Sequence, residues 1–145
     1  MSRRTRIIYF SFIAVLVLSE NIGNIISLIG PLEETARKMG LSVTEERIRI
    51  IILIVLDAIP ALGAVLAIWG YRRTEAVRIG RIGVFVTTAG MLAYGVYQFW
   101  SATFKLEFMP NVHKLIGVVY AAFGIAAWFV GSDLRKGRSS PNQAN

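Results

Sequence analysis

The sequence predicts an all-α integral membrane protein: a four-helix bundle with both termini in the cytoplasm and a short amphipathic outer helix between helices 1 and 2. Of its 145 residues, 54% are hydrophobic, and the mean hydropathy is +0.55. Four apolar runs reach or approach the roughly 20 residues that a helix needs to cross a bilayer, where the backbone must satisfy its own hydrogen bonds. These runs predict helices over about 7–30, 43–71, 80–100 and 114–132.

The first run predicts a retained helix rather than a signal peptide. It begins after a basic start and stays apolar past Glu20, which makes it longer than the apolar core of a signal peptide. We expect the four helices to form one transmembrane domain, residues 1–136, at a chain length typical of a single domain. The polar segment 137–145 is expected to be a mobile tail.

The connections differ in character. Pro31–Met39 has acids in its first turn and bases in its last, which predicts a short amphipathic helix on the outer membrane surface. Gly40 can end that helix in a left-handed conformation, and Ser42–Glu45 has the spacing of a capping box that starts helix 2. The connection 72–81 is short and basic, and 101–114 is expected to be an interfacial loop.

Basic residues predict the orientation. Ten lysines and arginines lie at the N-terminus, in the second connection and in the C-terminal tail, against two acids, while the other connections hold six basic and five acidic residues. Since lysine and arginine mark the cytoplasmic side, both termini are expected in the cytoplasm, with the protein in the cell (inner) membrane. The net charge of +7 then follows largely from topology. Anionic lipid headgroups, and not nucleic acid, are the expected partner of these arginines.

Each predicted helix has one face of small or polar residues. In membranes, such faces let helices approach closely and form hydrogen bonds with each other, so most of these positions are expected to lie where helices pack. They are Glu20, Gly23, Asn24 and Ser27 in helix 1; Asp57, Pro60, Ala61 and Ala64 in helix 2; Gly83, Thr87, Gly90, Tyr94, Tyr97 and Gln98 in helix 3; and His113, Gly117, Tyr120, Ala121 and Gly124 in helix 4.

Two carboxylates, Glu20 and Asp57, interrupt the apolar runs, where a charged side chain costs roughly 2.5–3.5 kcal/mol on insertion scales. Neighbouring antiparallel helices would bring them together, and since two adjacent carboxyls cannot both ionise easily, one would keep a proton, as in a proton carrier. A static carboxyl hydrogen-bonded to Asn24 is an equal alternative. Pro60 also frees the carbonyl of Leu56, which predicts either a cation site beside Asp57 or a simple kink, with the kink favoured.

Two further residues, Tyr94 and His113, are candidates for a functional role. Tyr94 completes a candidate ion or proton site with Glu20, Asn24 and Asp57, whereas His113 is expected in a loop, with an interface or proton-relay role as the alternative. The chain has one histidine and no cysteine, so it offers neither bis-histidine haem ligation nor thiolate metal sites. We predict no catalytic residue, cofactor or metal ligand.

The run Leu18-Ser-Glu20-Asn-Ile-Gly23-Asn resembles the first helix of the small multidrug-resistance transporters, four-helix proteins with one essential glutamate in that helix. The resemblance implies that role for Glu20. The chain departs from the family in its long charged segment between helices 1 and 2, and in a third helix without the Trp-Ser-Gly-type pattern. Its strong charge bias also differs from that of a dual-topology dimer, so we do not assign it to this family.

Three functions stay open. The first is a non-catalytic accessory or scaffold subunit of a larger membrane complex, indicated by the glycine-rich faces, the amphipathic outer segment and the lack of a catalytic motif. The alternative is a small proton- or cation-coupled permease that works as an oligomer and uses Glu20 and Asp57. An enzyme acting on lipid or quinone would need Glu20, Asp57, Tyr94 and His113 to converge, and no motif supports it. The expected partners are membrane lipids with other membrane subunits or further copies of the chain.

Overall fold

The computed structural model describes residues 1–136 and confirms an all-helical chain with four helices long and apolar enough to cross a membrane. The predicted tail, 137–145, lies outside the described residues. In chain order the helices are α1 (Arg3–Ile29), α2 (Leu32–Met39), α3 (Val43–Arg72), α4 (Val77–Phe104), α5 (Pro110–Val130) and α6 (Ser132–Lys136), with a 3-10 turn at Thr74–Ala76 before α4.

The long helices extend beyond the predicted apolar runs. The Ser2 hydroxyl accepts a hydrogen bond from the Thr5 N–H at 3.1 Å, so α1 already begins at Arg3. Between α4 and α5, the predicted interfacial loop shrinks to residues 105–109, because α5 begins at Pro110, where a first-turn proline costs no hydrogen bond. Hydropathy marks the part of a helix that suits hydrocarbon, while backbone hydrogen bonding continues past it into polar surroundings.

The short helix α2 forms as predicted and lies against α3. Leu32 and Ala36 are its buried residues, and Gly40 ends it in the left-handed region with φ 72°. The predicted capping box is present at the start of α3. The Glu107 N–H donates to the Met39 carbonyl at 3.1 Å, so the loop between α4 and α5 also reaches α2. We call this side of the molecule the α2 end.

The opposite side, which we call the arginine-rich end, joins the start of α1 to the turn between α3 and α4 and to α6. Arg6 is buried and forms an ion pair with Asp133 of α6. The Arg3 guanidinium donates to the Arg72 carbonyl at 2.6 Å. These contacts gather the basic residues of three separate segments at one end of the protein.

The four long helices contact each other in a sequential row. α3 packs between α1 and α4, and α4 packs between α3 and α5. By contrast, α1 and α5 meet at only a few positions. There, the Tyr9 hydroxyl donates to the Phe123 carbonyl at 2.7 Å, and the rings of Phe12 and Phe123 lie 5.6 Å apart.

Glycines set the spacing of α3, α4 and α5. A Cβ added to Gly83 of α4 would lie 2.3 Å from the backbone nitrogen of Ala67 on α3. A Cβ on Gly117 of α5 would lie 2.6 Å from the carbonyl oxygen of Gly95 on α4. Backbone meets backbone at these positions, so the packing faces predicted for α4 and α5 match the observed contacts.

The packing face predicted for α1 is wrong at Gly23 and Ser27. Both residues are exposed, and a Cβ on Gly23 would meet nothing within 4 Å. The reason lies in the helix order. Because α1 packs mainly against α3 and has few contacts with α2 and α5, the part of its polar face that turns away from α3 is left exposed among the described residues.

Candidate functional site

Two asparagines hold α1 against the middle of α3. The Asn21 side-chain amide donates to the Ile54 carbonyl at 2.9 Å, and the Asn24 amide donates to the Asp57 carboxylate at 3.2 Å. The asparagines lie one turn apart on α1, as do their acceptors on α3. Because Arg3 at the start of α1 contacts Arg72 at the end of α3, the two helices run antiparallel, and the two bonds therefore cross between them. Sequence reasoning named Asn24 and missed Asn21. The carbonyl that lies opposite Asn21 is visible only once the two helices are aligned.

Asp57 is fully buried, with 0% of its surface exposed. Asn24 donates to Oδ2, while Oδ1 has no hydrogen-bond partner among the described residues. One turn further along α3, Pro60 has no N–H to give to the carbonyl of Leu56. The ring of Pro60 packs against Gly90 of α4, where a Cβ would come within 2.6 Å of the proline Cδ. The proline therefore faces α4, in the closely packed part of the protein.

Two tyrosines and a glutamine continue this polar region across α4 and α5. The Gln98 amide donates to the Tyr94 hydroxyl at 2.9 Å, and the rings of Tyr94 and Tyr120 stack with centroids 4.2 Å apart. All three residues are buried, at 4%, 1% and 3% exposure for Gln98, Tyr94 and Tyr120. The Gln98 Oε1 and the Tyr120 hydroxyl have no hydrogen-bond partner in the described part of the chain.

Glu20 lies on α1 and is half-buried. Its charge acts on Asp57, Tyr94 and Tyr120, which places the carboxyl within electrostatic range of all three. Within residues 1–136 it forms no hydrogen bond or ion pair. Of the four residues that the sequence analysis proposed as an ion or proton site, Asn24 and Asp57 are in contact, and Glu20 and Tyr94 lie within electrostatic range of Asp57. Together with two further residues they form what we call the polar cluster: Glu20, Asn24, Asp57, Tyr94, Gln98 and Tyr120.

His113 lies near the start of α5, towards the α2 end. It is half-buried and belongs to the helix, not to a loop as predicted. Its Nδ1 has no hydrogen-bond partner among the described residues, and the charges that act on it are those of Glu46 and Arg49. His113 is thus associated with a second group of residues, closer to the α2 end than the polar cluster.

Glu46 and Arg49 form a part-buried ion pair that the sequence analysis missed. The Arg49 Nε and Nη2 donate to the two Glu46 carboxylate oxygens at 2.6 and 2.7 Å, and Glu46 is 0% exposed. The sequence signal was an acid and an arginine three residues apart on one helix, a spacing that also occurs on exposed helix surfaces. The charge of Arg49 reaches Tyr94, so this pair lies between the polar cluster and the α2 end.

The chemistry available to the polar cluster is that of oxygen acceptors. Its members supply two carboxyls, two phenol hydroxyls and two amides, and the described residues hold no group of three or more acidic or histidine side chains arranged for a metal ion. Carboxyls at this depth suit binding of a proton or of a small cation. Comparison with protein-family models, curated proteins and solved structures finds no match for the chain. Functional inference therefore rests on these contacts.

Proposed function

We propose that this protein is a small membrane carrier in which Glu20 and Asp57 bind and release a proton that is coupled to transport. The observation that supports it is a fully buried aspartate with an unpartnered carboxylate oxygen, next to a second carboxyl that is half-exposed. A buried carboxyl with a purely structural role would be expected to have its oxygens hydrogen-bonded, because an unsatisfied buried acceptor costs about 1–3 kcal/mol.

The surroundings of Glu20 and Asp57 also support proton binding by this pair. Arg49 is the cation whose charge reaches the cluster, and its guanidinium is bound in a bidentate fashion by Glu46. The Asp57 carboxyl accepts from a neutral amide, that of Asn24. Since no cation among residues 1–136 forms an ion pair with either carboxyl, a proton is the simplest way for the pair to avoid two charges at bilayer depth. Glu20 is the more exposed of the two and would exchange the proton with the surroundings.

We further infer that both termini lie in the cytoplasm and that the protein resides in the cell membrane. The arginine-rich end supports this orientation, because lysine and arginine mark the cytoplasmic side of membrane proteins. In that orientation the α2 end faces outwards.

The experiment is a flux assay in proteoliposomes that trap a pH-sensitive dye, with an imposed pH gradient and with Na⁺ or K⁺ on the outside. The wild type should dissipate the gradient faster than empty vesicles do. Glu20→Gln and Asp57→Asn should abolish this flux while far-UV circular dichroism and gel filtration stay unchanged. Glu75→Gln, which removes an exposed carboxyl from the turn between α3 and α4, is the matched control. Unchanged flux in both cluster variants would contradict the proposal.

A second candidate function is that of an accessory subunit in a larger membrane complex. The observation that favours it is on α1: Glu20 finds no hydrogen bond or ion pair in residues 1–136, and its neighbours Ser19, Gly23 and Ser27 are exposed at four-residue spacing. A helix from another protein could cover this face, since small residues permit close approach in membranes. The glycines of α3, α4 and α5 support it less than expected, because they pack within the chain.

The two candidates differ in the species extracted from the native membrane. Native gels and mass spectrometry in mild detergent should show a small oligomer of this chain alone if it is a carrier. Migration with other proteins in a fixed ratio would instead support the accessory subunit. Cross-linking at Gly23→Cys would then identify whether the partner covers the exposed face of α1.

A further inference from the structure

A groove on the protein surface follows the contact between α3 and α4 from the α2 end towards the middle of the membrane. Near the α2 end its lining includes three charged residues, Glu45, Arg49 and Lys105, among apolar ones. Further along, the lining is apolar and includes Leu56, Leu92 and Val96. The two parts are continuous, because three residues line both of them: Ile52, Tyr97 and Trp100.

The length of the groove matches one leaflet of a bilayer. Trp100 is 48% exposed, and its ring lies 6.3 Å from both Tyr97 and Phe104, an aromatic group of the kind found at the boundary between headgroups and hydrocarbon. From Trp100 to Leu92 the helix advances by about 12 Å at 1.5 Å per residue. Half of the hydrocarbon core is about 15 Å thick. The apolar part of the groove therefore extends through most of one leaflet.

The polar end of the groove has two cationic side chains, Arg49 and Lys105, and one carboxylate, that of Glu45. Lys105 is exposed, and its charge acts on the carboxyl of Glu45, although no carboxylate among the described residues lies within ion-pair distance of its ammonium. The carboxylate of Glu45, which also lines this end, accepts hydrogen bonds from the Ser42 N–H and hydroxyl at 3.0 and 2.7 Å. Arg49 is only partly engaged, through Nε and Nη2 to Glu46. The ammonium and the remaining guanidinium N–H groups are available as donors.

We propose that this groove binds one phospholipid from the leaflet at the α2 end. Its phosphate is held by Lys105 and Arg49 beside Trp100, and one acyl chain lies along Ala93 and Val96. A detergent molecule would lack the phosphate, and inorganic phosphate would lack the chain, so the combination of a cationic end and a leaflet-long apolar groove selects the lipid. The site lies outside the polar cluster and does not depend on proton transport.

The test is native mass spectrometry of the protein in mild detergent, titrated with phosphatidylglycerol. The wild type should retain one lipid mass per chain. Ala93→Trp, which fills the apolar part, and Lys105→Glu, which reverses the charge at the polar end, should each lower the lipid-bound fraction by about tenfold or more. The matched controls are Ala122→Trp and Lys114→Glu on α5, at positions that do not line the groove, and these should bind as the wild type does.

Three results would overturn the proposal: no lipid adduct on the wild type, equal adducts on Ala93→Trp and Ala122→Trp, or a lipid-free dimer whose formation Ala93→Trp abolishes. The last outcome would assign the groove to a second copy of the chain. If Ala93→Trp fails to fold by circular dichroism, Val96→Trp replaces it, because Val96 is 67% exposed and its side chain can be enlarged without entering the core.

Discussion

Replacement of Gly83 by alanine tests how closely α3 and α4 pack. The added Cβ would lie 2.3 Å from the Ala67 nitrogen, 2.6 Å from the Gly63 oxygen and 2.7 Å from the Leu66 carbonyl carbon. All three are backbone atoms, so no side chain can rotate away, and the helices must separate by about 1 Å to restore ordinary contact. Overpacking of this kind costs about 1–3 kcal/mol.

The matched control is the same substitution at Gly23. Alanine is favoured over glycine in a helix by up to about 1 kcal/mol, and this gain applies at both positions. At Gly23 nothing lies within 4 Å of the new Cβ, so Gly23→Ala should be neutral or stabilising. At Gly83 the loss of packing should exceed the gain, which leaves a net destabilisation of about 1–2 kcal/mol.

The assay is unfolding by SDS titration in mixed micelles, followed by far-UV circular dichroism. The free energies of unfolding of Gly83→Ala and Gly23→Ala should differ by about 1–3 kcal/mol, with Gly83→Ala the less stable. Equal stabilities would refute the conclusion that backbone contact between α3 and α4 sets their spacing. A loss of stability at Gly23 instead would show that a helix absent from the monomer covers that face of α1.

Two further predictions concern charges. Glu46→Gln leaves the part-buried Arg49 without its counter-ion and should lower the free energy of unfolding by about 3 kcal/mol in the SDS titration, whereas Glu33→Gln in the exposed first turn of α2 should cost less than about 1 kcal/mol. The ammonium of Lys38 lowers the pKa of Glu34 below its ordinary value of 4.5, so this pair stabilises α2 at neutral pH and the effect is lost as the pH falls through the lowered, folded-state pKa. The protection factors of the α2 amides, corrected for the intrinsic exchange rate at each pH, should therefore fall below pH 4.5 in the wild type, and Lys38→Gln should remove this dependence on Glu34 ionisation.

The helices and their caps were predictable from local sequence. Hydropathy over about 20 residues reports directly on the burial of a helix in hydrocarbon, and the Ser42 capping box and the Gly40 stop depend only on residues within one turn. The exact starts of α1 and α4 were less predictable, because helix hydrogen bonds extend beyond the hydrocarbon and leave no signal in hydropathy.

The residues of the candidate site were predictable from the sequence, but the contacts between them were not. Glu20 and Asp57 are identifiable because carboxylates are costly in an apolar run, and Asn24 because it lies one turn from Glu20 on the same face. The contact of Asn21 with the Ile54 carbonyl depends on how far α1 slides along α3. The burial of Glu46 depends on what covers the α2 end. The position of α1 along α3 and the covering of the α2 end both depend on contacts between helices, so patterns within a single helix did not reveal them.

The division of the polar cluster between helices has a consequence for how it would work. Asp57, Tyr94 and Tyr120 lie on α3, α4 and α5, whose glycine contacts resist movement. Glu20 and Asn24 lie in the second half of α1, and every buried residue of α1 lies at or before Val17.

The part of α1 that contributes to the cluster is therefore the less anchored part of that helix, apart from its two asparagine contacts with α3. If that half of α1 moves away from α3, Asp57 loses the hydrogen bond from Asn24 and the nearby charge of Glu20 at the same time. A carrier needs such a change in the surroundings of its proton-binding group between two states. Asn24→Ala should therefore alter the pH dependence of flux without abolishing it, whereas Asp57→Asn should abolish flux altogether.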